Sequence, residues 1–245
     1  DIGGPKVLVH GGGRKATAVA AQMGIETRMV DGRRITDGAM LQVVAMVYGG
    51  LVNKTVVARL QALGTNAIGL TGADGGIMLS RRRPPVAATA AVTANGQPEA
   101  LTDYGYVGDV CRVDTDTLET LIDAGMTPVI APLTHDGKGT LLNTNADTMA
   151  SETAKALAAR YDVTLVFAFE KAGVLRDADD ETSVIPLIDR HTYEALRQDG
   201  TVSGGMLPKI DNALAAVDAG VGRVVITSAK AIDGTHGTTI CSTSR

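Results

Sequence analysis

Residues 7–13 read VLVHGGG, and the fold follows from how that stretch continues. Three apolar residues, Val7-Leu8-Val9, run into His10 and three glycines, and a helical stretch closed by Gly24 comes after. An apolar run, a glycine loop and a helix in that order read as a strand feeding a helix. The pattern recurs along the chain. Strands are expected at 66–70, 104–113, 129–131 and 163–169, and again at Val224-Val225-Ile226. Residues 25–30 and 33–35 flank Asp31-Gly32, a hairpin signal. A long helix is expected over 37–63, broken at Gly49-Gly50 and capped by Gly64. Asp116 and Glu119 form a capping-box-like start to a helix that Gly125 closes. Further helices are expected over 146–161 and after Gly204-Gly205, the last with Ile210, Leu214 and Val217 on one face. Residues 84–100 lack periodicity and read as a surface loop or hairpin. Strands alternating with helices define an α/β fold. The expectation is a three-layer sandwich around a mainly parallel sheet covered on both faces, in one domain of two lobes.

Composition narrows the function classes. A chain of 245 residues, 44% apolar and 20% charged, buries a sizeable core. A net charge of −4, from 23 basic against 27 acidic residues, argues against a dedicated nucleic-acid or membrane-surface protein. No apolar run approaches the ~18 residues of a membrane span. Cys111 and Cys241 stand far apart without metal-ligand spacing, which excludes a structural zinc site and makes a reducing cytoplasm the default. Glycine, at 29 of 245 residues, is clustered rather than periodic and so points to backbone-built binding loops.

The clusters are Gly11–Gly13, Gly72–Gly76 and Gly204-Gly205. They read either as tight turns or as places where the backbone approaches a ligand beyond the carboxyl ends of strands. Lys209 falls in the first turn of a helix, where the dipole opposes a cation by roughly 0.3–1 kcal/mol and a bound phosphate would reverse that sign. The other reading is a solvated lysine. Asn143, Asn145 and Asp147 precede or open a helix, either as caps or as amides aimed at a polar ligand. Arg33-Arg34 beside the hairpin turn offer a fork for a carboxylate. His10 reads as a loop brace rather than a base, and no nucleophile triad or metal-ligand cluster is present in the pattern.

Taken together, these segments resemble the amino acid kinase family. The matching stretches are VLVHGGG (7–13), DGRRITD (31–37), MVYGGLVNK (46–54), IGLTGADGG (68–76), YGYVGDV (104–110), PVIAPL (128–133), NTNADT (143–148), KAGVLRD (171–177) and SGGMLPK (203–209), in family order. The resemblance implies transfer of the ATP γ-phosphoryl group, with Mg²⁺, to the side-chain carboxylate of an N-acylated glutamate in arginine biosynthesis. Acetyl is the expected acyl group and succinyl the alternative. A carboxylate with a reference pKa of about 4.3 is ionised at pH 7, so such a transfer needs positioning and charge stabilisation rather than a base. By resemblance, Gly12, Gly13, Arg34, Asn143 and Asn145 hold the acylated amino acid. Lys209 stabilises the transferring phosphoryl group, and Asp147 orients that lysine. Gly11, Lys171, Gly173, Val174, Leu175, Gly204, Gly205, Met206 and Lys209 border the nucleotide. Residues 1–145 then form the acyl-amino-acid lobe and 146–245 the ATP lobe of a cytoplasmic homodimer with no nucleic-acid or membrane partner. A non-catalytic sensor of the same fold is the rival expectation.

Two departures accompany the resemblance. The family opens with a strand carrying a lysine before two glycines, whereas Gly3-Gly4 follow Asp1-Ile2. That element is expected upstream of Asp1, and loss of its lysine is expected to impair transfer by ~10²–10³. Phe169-Glu170-Lys171 stand where the family usually has a Thr-Asp pair near the nucleotide.

Overall fold

In the computed structural model, which describes residues 3–30, 32–86, 101–177, 179–203, 206–232 and 235–242, the opening stretch forms β1 (Leu8–Val9) and α1 (Gly13–Gln22). The chain divides into two units, Pro5–Met149 and a second that begins at Ala150. In the first, β2 (Met29–Val30) and β3 (Arg33–Arg34) pair antiparallel as the hairpin expected about Gly32. Then come α2 (Gly38–Val44), a π-helical segment Ala45–Val52 and α3 (Asn53–Ala62), followed by β4 (Ala67–Thr71) and β5 (Met78–Arg82). β6 (Gly108–Val113), α4 (Thr115–Asp123), β7 (Thr127–Ala131), β8 (Leu133–His135) and β9 (Leu141–Asn143) complete the order, and α5 (Ala146–Leu157) begins here and continues into the second unit.

β1, β7 and β4 form a parallel sheet in that spatial order. Alternation along β7 sends neighbouring side chains to opposite faces. Ile130 packs with Ile77, Met78 and Leu118, while Ala131 packs with Ala16, Val43 and Tyr48. A core on each face is what makes the architecture three-layered. A second sheet, ordered β6-β5-β8-β9, joins its strands mostly antiparallel.

Three local expectations are corrected. The helix does not break at Gly49-Gly50; it widens through the π segment and runs on from Gly38 to Ala62. Gly49 faces Leu133 and Thr71, which a Cβ there would meet at ordinary contact distances of 3.5 and 3.6 Å. This 25-residue helix is also long and apolar enough, with a mean hydropathy of 1.4, to meet the length and composition of a membrane span. Its Met40, Val43, Val44 and Val47 nonetheless lie in the core of the unit. Second, α4 is capped by Asp114, whose carboxylate accepts from the Asp116 N–H, so Asp116 lies inside the first turn and Glu119 is buried mid-helix. Third, the strand expected from 104 starts only at Gly108, because Gly105 takes a positive φ of 72° and presses against the Thr36 carbonyl. Of the segment 84–100, Val86 pairs with Thr102, and 87–100 lie outside the described residues.

In the second unit, β10 (Thr164–Phe169), β11 (Leu187–Ile188), α6 (Arg190–Gln198), α7 (Leu207–Asp218), β12 (Arg223–Ser228) and β13 (Thr238–Ile240) form a sheet ordered β10-β12-β13-β11 with its helices. β10 and β12 run parallel in register from Thr164↔Arg223 to Phe169↔Ser228. Ile210 and Leu214 of α7 are buried in its core and Val217 packs against it, as their spacing predicts. The hydroxyl of Tyr193 in α6 donates to Asp211 in α7 at 2.8 Å, a tie that hydrophobic spacing does not announce.

The tightest seam in the first unit is between α3 and β4. A Cβ on Gly69 would stand 2.0 Å from the Asn53 Oδ1 and 2.9 Å from Val57. Gly69→Ala should therefore destabilise the protein by about 1–3 kcal/mol, the usual cost of overpacking. Urea unfolding would read this as a lower midpoint at unchanged slope.

Candidate active site

The first glycine loop is shaped by contact rather than by turn geometry. A Cβ on Gly12 would lie 2.6 Å from the ring of Tyr48, so only glycine lets the π segment and the loop approach this closely. Gly12 caps α1 without a side chain, which leaves first-turn N–H groups and the positive end of the helix dipole facing the loop beyond β1. Burial pushes the Tyr48 phenol up, partly offset by the Arg34 guanidinium beside it.

Arg34 is 7% exposed and its guanidinium is fully directed. Nη2 donates to the Gly13 carbonyl at 3.0 Å and to Thr17 at 2.9 Å, and Nη1 donates to Thr27 at 3.1 Å. From the Arg34 carbonyl the network continues: it accepts from the Thr36 hydroxyl at 3.0 Å, which in turn accepts from the Asn143 amide at 2.9 Å. Gly13, Arg34 and Asn143, three residues singled out from sequence, are thus joined in one buried chain of hydrogen bonds. Thr36 is the link that sequence reasoning missed, although it stands inside the DGRRITD stretch.

Asn143 and Asn145 do not act as a matched pair. Asn143 is buried on Thr36, whereas Asn145 is exposed and its Oδ1 caps α5 by accepting from the Thr148 N–H at 2.9 Å. Its Nδ2 donors point away from that duty. Asp147 lies in the first turn of α5, where a carboxylate suits the dipole. The Gly72–Gly76 cluster makes turns: Gly75 and Gly76 take positive φ, and Asp74 closes the loop on Thr71 at 2.6 and 2.7 Å.

His10 is a brace, as expected. Its Nδ1 meets the Gly11 carbonyl at 2.7 Å, and since a carbonyl only accepts, Nδ1 carries the proton. Its Nε2 accepts from Asn53 Nδ2 at 3.1 Å, and that amide is oriented by also donating to the Val129 carbonyl at 2.9 Å. The ring is therefore neutral, and burial holds its pKa below the usual histidine value.

In the second unit, Lys171 pairs with Glu181 at 3.6 Å across an exposed surface. Gly173 packs on Thr238, whose hydroxyl also takes the N–H of the buried Val174 at 2.8 Å; Leu175 bridges to Val184. Met206 stands at the start of α7, and Gly204 and Gly205 lie outside the described residues. Lys209, three residues into α7, places its Nζ 3.4 Å from the centre of the Phe169 ring. That contact went unread in the sequence, where Phe169 registered only as a departure from the family pattern.

A parallel-sheet α/β frame, a glycine loop at a helix start and a lysine at another define a kinase-like architecture, and the chain belongs to the amino acid kinase family, whose model matches residues 2–228. It is similar to the acetylglutamate kinase of Bacteroides thetaiotaomicron, 57% identical over 239 residues that span 98% of this chain and 88% of the relative. The acetylglutamate kinase of Cytophaga hutchinsonii is 53% identical over 227 residues, 93% and 81% of the two chains. Among solved structures, smu.665 from Streptococcus mutans UA159 superposes with a TM-score of 0.76 at 26% identity, covering 97% of this chain and 86% of that one.

The His10 brace has a pH signature. Above the unfolded value of 6.5, both states are neutral at this ring and its titration contributes nothing. As pH falls below that value the unfolded chain takes up the proton first, so stability is lost until the lower, folded pKa is passed. The wild-type protein should lose more stability than His10→Gln between pH 7.5 and 5.5, measured by urea unfolding of both.

Proposed function

We propose that this protein transfers the γ-phosphoryl group of ATP to the side-chain carboxylate of N-acetyl-L-glutamate, giving N-acetylglutamyl 5-phosphate, the second step of arginine biosynthesis. The observation that carries the proposal is the buried chain of hydrogen bonds from Gly13 through Arg34 and Thr36 to Asn143, in a chain more than half identical to acetylglutamate kinases. The acceptor carboxylate is ionised at neutral pH and needs no base, which agrees with a neutral His10 occupied on both nitrogens. What the reaction needs is charge placed where the phosphoryl group passes. Arg34 supplies the cation for the acceptor's α-carboxylate, Asn143 and Asn145 supply amides, and the uncapped turn at Gly12-Gly13 supplies N–H donors. Lys209 supplies charge to the transferring group, with Asp147 as the second catalytic residue carried over by resemblance. Residues 1–145 serve the acyl amino acid, and residues 146–245, with Lys171, Gly173, Leu175 and Met206, serve ATP. Mg²⁺ bound with the nucleotide would neutralise phosphate charge.

Succinyl is the alternative acyl group for the same transfer, and assays with the two acceptors separate it from acetyl.

We further propose a cytoplasmic homodimer. Met46 and Leu51, 52% and 48% exposed, lie on the long helix opposite its core face and offer an apolar surface for a second copy. Leu51→Glu should lower the mass in sedimentation equilibrium.

Trapping acyl phosphate as a hydroxamate, with Mg-ATP and either N-acetylglutamate or N-succinylglutamate, tests the reaction and ranks the acyl groups. Lys209→Ala should lower kcat by ~10²–10³, and Arg34→Lys should raise the acceptor KM by roughly 10- to 100-fold through loss of its fork. No product from either acceptor, with ATP bound by the folded protein, would refute the kinase and leave a sensor.

A further inference from the structure

We infer that Phe169 is a positioning residue for Lys209, its ring holding the ammonium in place for phosphoryl transfer without neutralising it. The inference rests on the proposed role of Lys209. Nζ stands 3.4 Å from the ring centre, directly against the negative face of the π system. The ring is itself anchored. Phe169 and Phe167 project from the same face of β10, their rings stacked 16° from parallel with centroids 6.0 Å apart. Phe167 is 5% exposed and belongs to the core of the second unit. The backbone is fixed as well, by the Ala229 N–H donating to the Phe169 carbonyl at 3.1 Å.

Phe169 ends β10 at the carboxyl edge, where it pairs in register with Ser228 at the end of parallel β12. That edge is where α/β folds bind ligands. Lys209, in the first turn of α7, has the helix dipole against it and a long, freely rotating stem. A carboxylate partner would steady the ammonium but would accept its hydrogen bonds and cancel its charge. A ring face steadies it by taking an N–H against the π cloud with no carboxylate charge, which leaves N–H donors on its open side for phosphoryl oxygens. The Lys209 charge is thus held in advance, as electrostatic preorganisation requires.

The test replaces Phe169 in the full protein by phenylalanines carrying one, two and three ring fluorines, which drain the π face at nearly constant shape, and by Leu and Tyr. If the ring positions Lys209, kcat for acyl phosphate formation falls stepwise with fluorination and by about tenfold in Phe169→Leu. KM for ATP and acceptor should stay within about twofold, and Phe169→Tyr should keep the wild-type rate. In NMR, the Lys209 ε-methylene, assigned by its loss in Lys209→Ala, should be shifted upfield by the ring current and return towards the ordinary lysine position in Phe169→Leu. Unchanged kcat across the fluorinated series, in an enzyme that Lys209→Ala inactivates, would overturn the inference while leaving the kinase reading intact. A rise in kcat would overturn it too, by marking the ring as a restraint on the lysine. Full activity in Lys209→Ala would remove the reading on which it rests.

Discussion

The carboxamide of Asn53 holds the first unit in register. From the start of α3 it donates to the carbonyl of Val129 in β7, lies 3.4 Å from that of Leu70 in β4, and meets His10 in the loop after β1. One neutral side chain, 1% exposed, therefore ties two strands of the parallel sheet to the loop that follows the third. Its Oδ1 has no hydrogen-bond partner among the described residues. Because the same helix carries Tyr48 against Gly12, the shape of the glycine loop depends on where Asn53 sits.

A common physical device recurs in the two units. Arg34 is oriented by oxygens that carry no formal charge, those of Gly13, Thr17 and Thr27. Lys209 is oriented by an aromatic face. Neither cation is neutralised by a carboxylate in these contacts. Contrast Arg83, whose guanidinium is given to Asp109 in a partly buried ion pair and is placed for structure.

The strand–loop–helix order, the hairpin at Gly32 and the buried face of α7 were legible in sequence because each is written in local periodicity or turn chemistry. The residues joined in the hydrogen-bond network at Arg34 were legible as types, but not their connection, since Asn143 and Thr36 are 107 positions apart and no spacing rule reaches that far. Asp114 was passed over as the cap of α4 because two further acidic residues follow at capping-box spacing. The ring of Phe169 was visible only as an oddity; its meaning depends on a lysine forty residues later that folding brings over it. Gly49-Gly50 differ for another reason: a glycine pair suggests a stop, and the helix runs through it by widening to π geometry, which no spacing rule announces.

The widened segment Ala45–Val52 gives this helix one place where its length can change. A π turn accommodates one residue more than an α turn between bonded groups. Removing a single residue from 45–52 would let the helix relax to α geometry with the phase of Asn53 largely kept, whereas removing one from Gly38–Val44 would turn everything after it by about 100°. Asn53 would then swing off the sheet and an outward residue would face it. Variation among functional descendants of this sequence should accordingly tolerate a lost residue between Val44 and Asn53 better than one in the α turns before it.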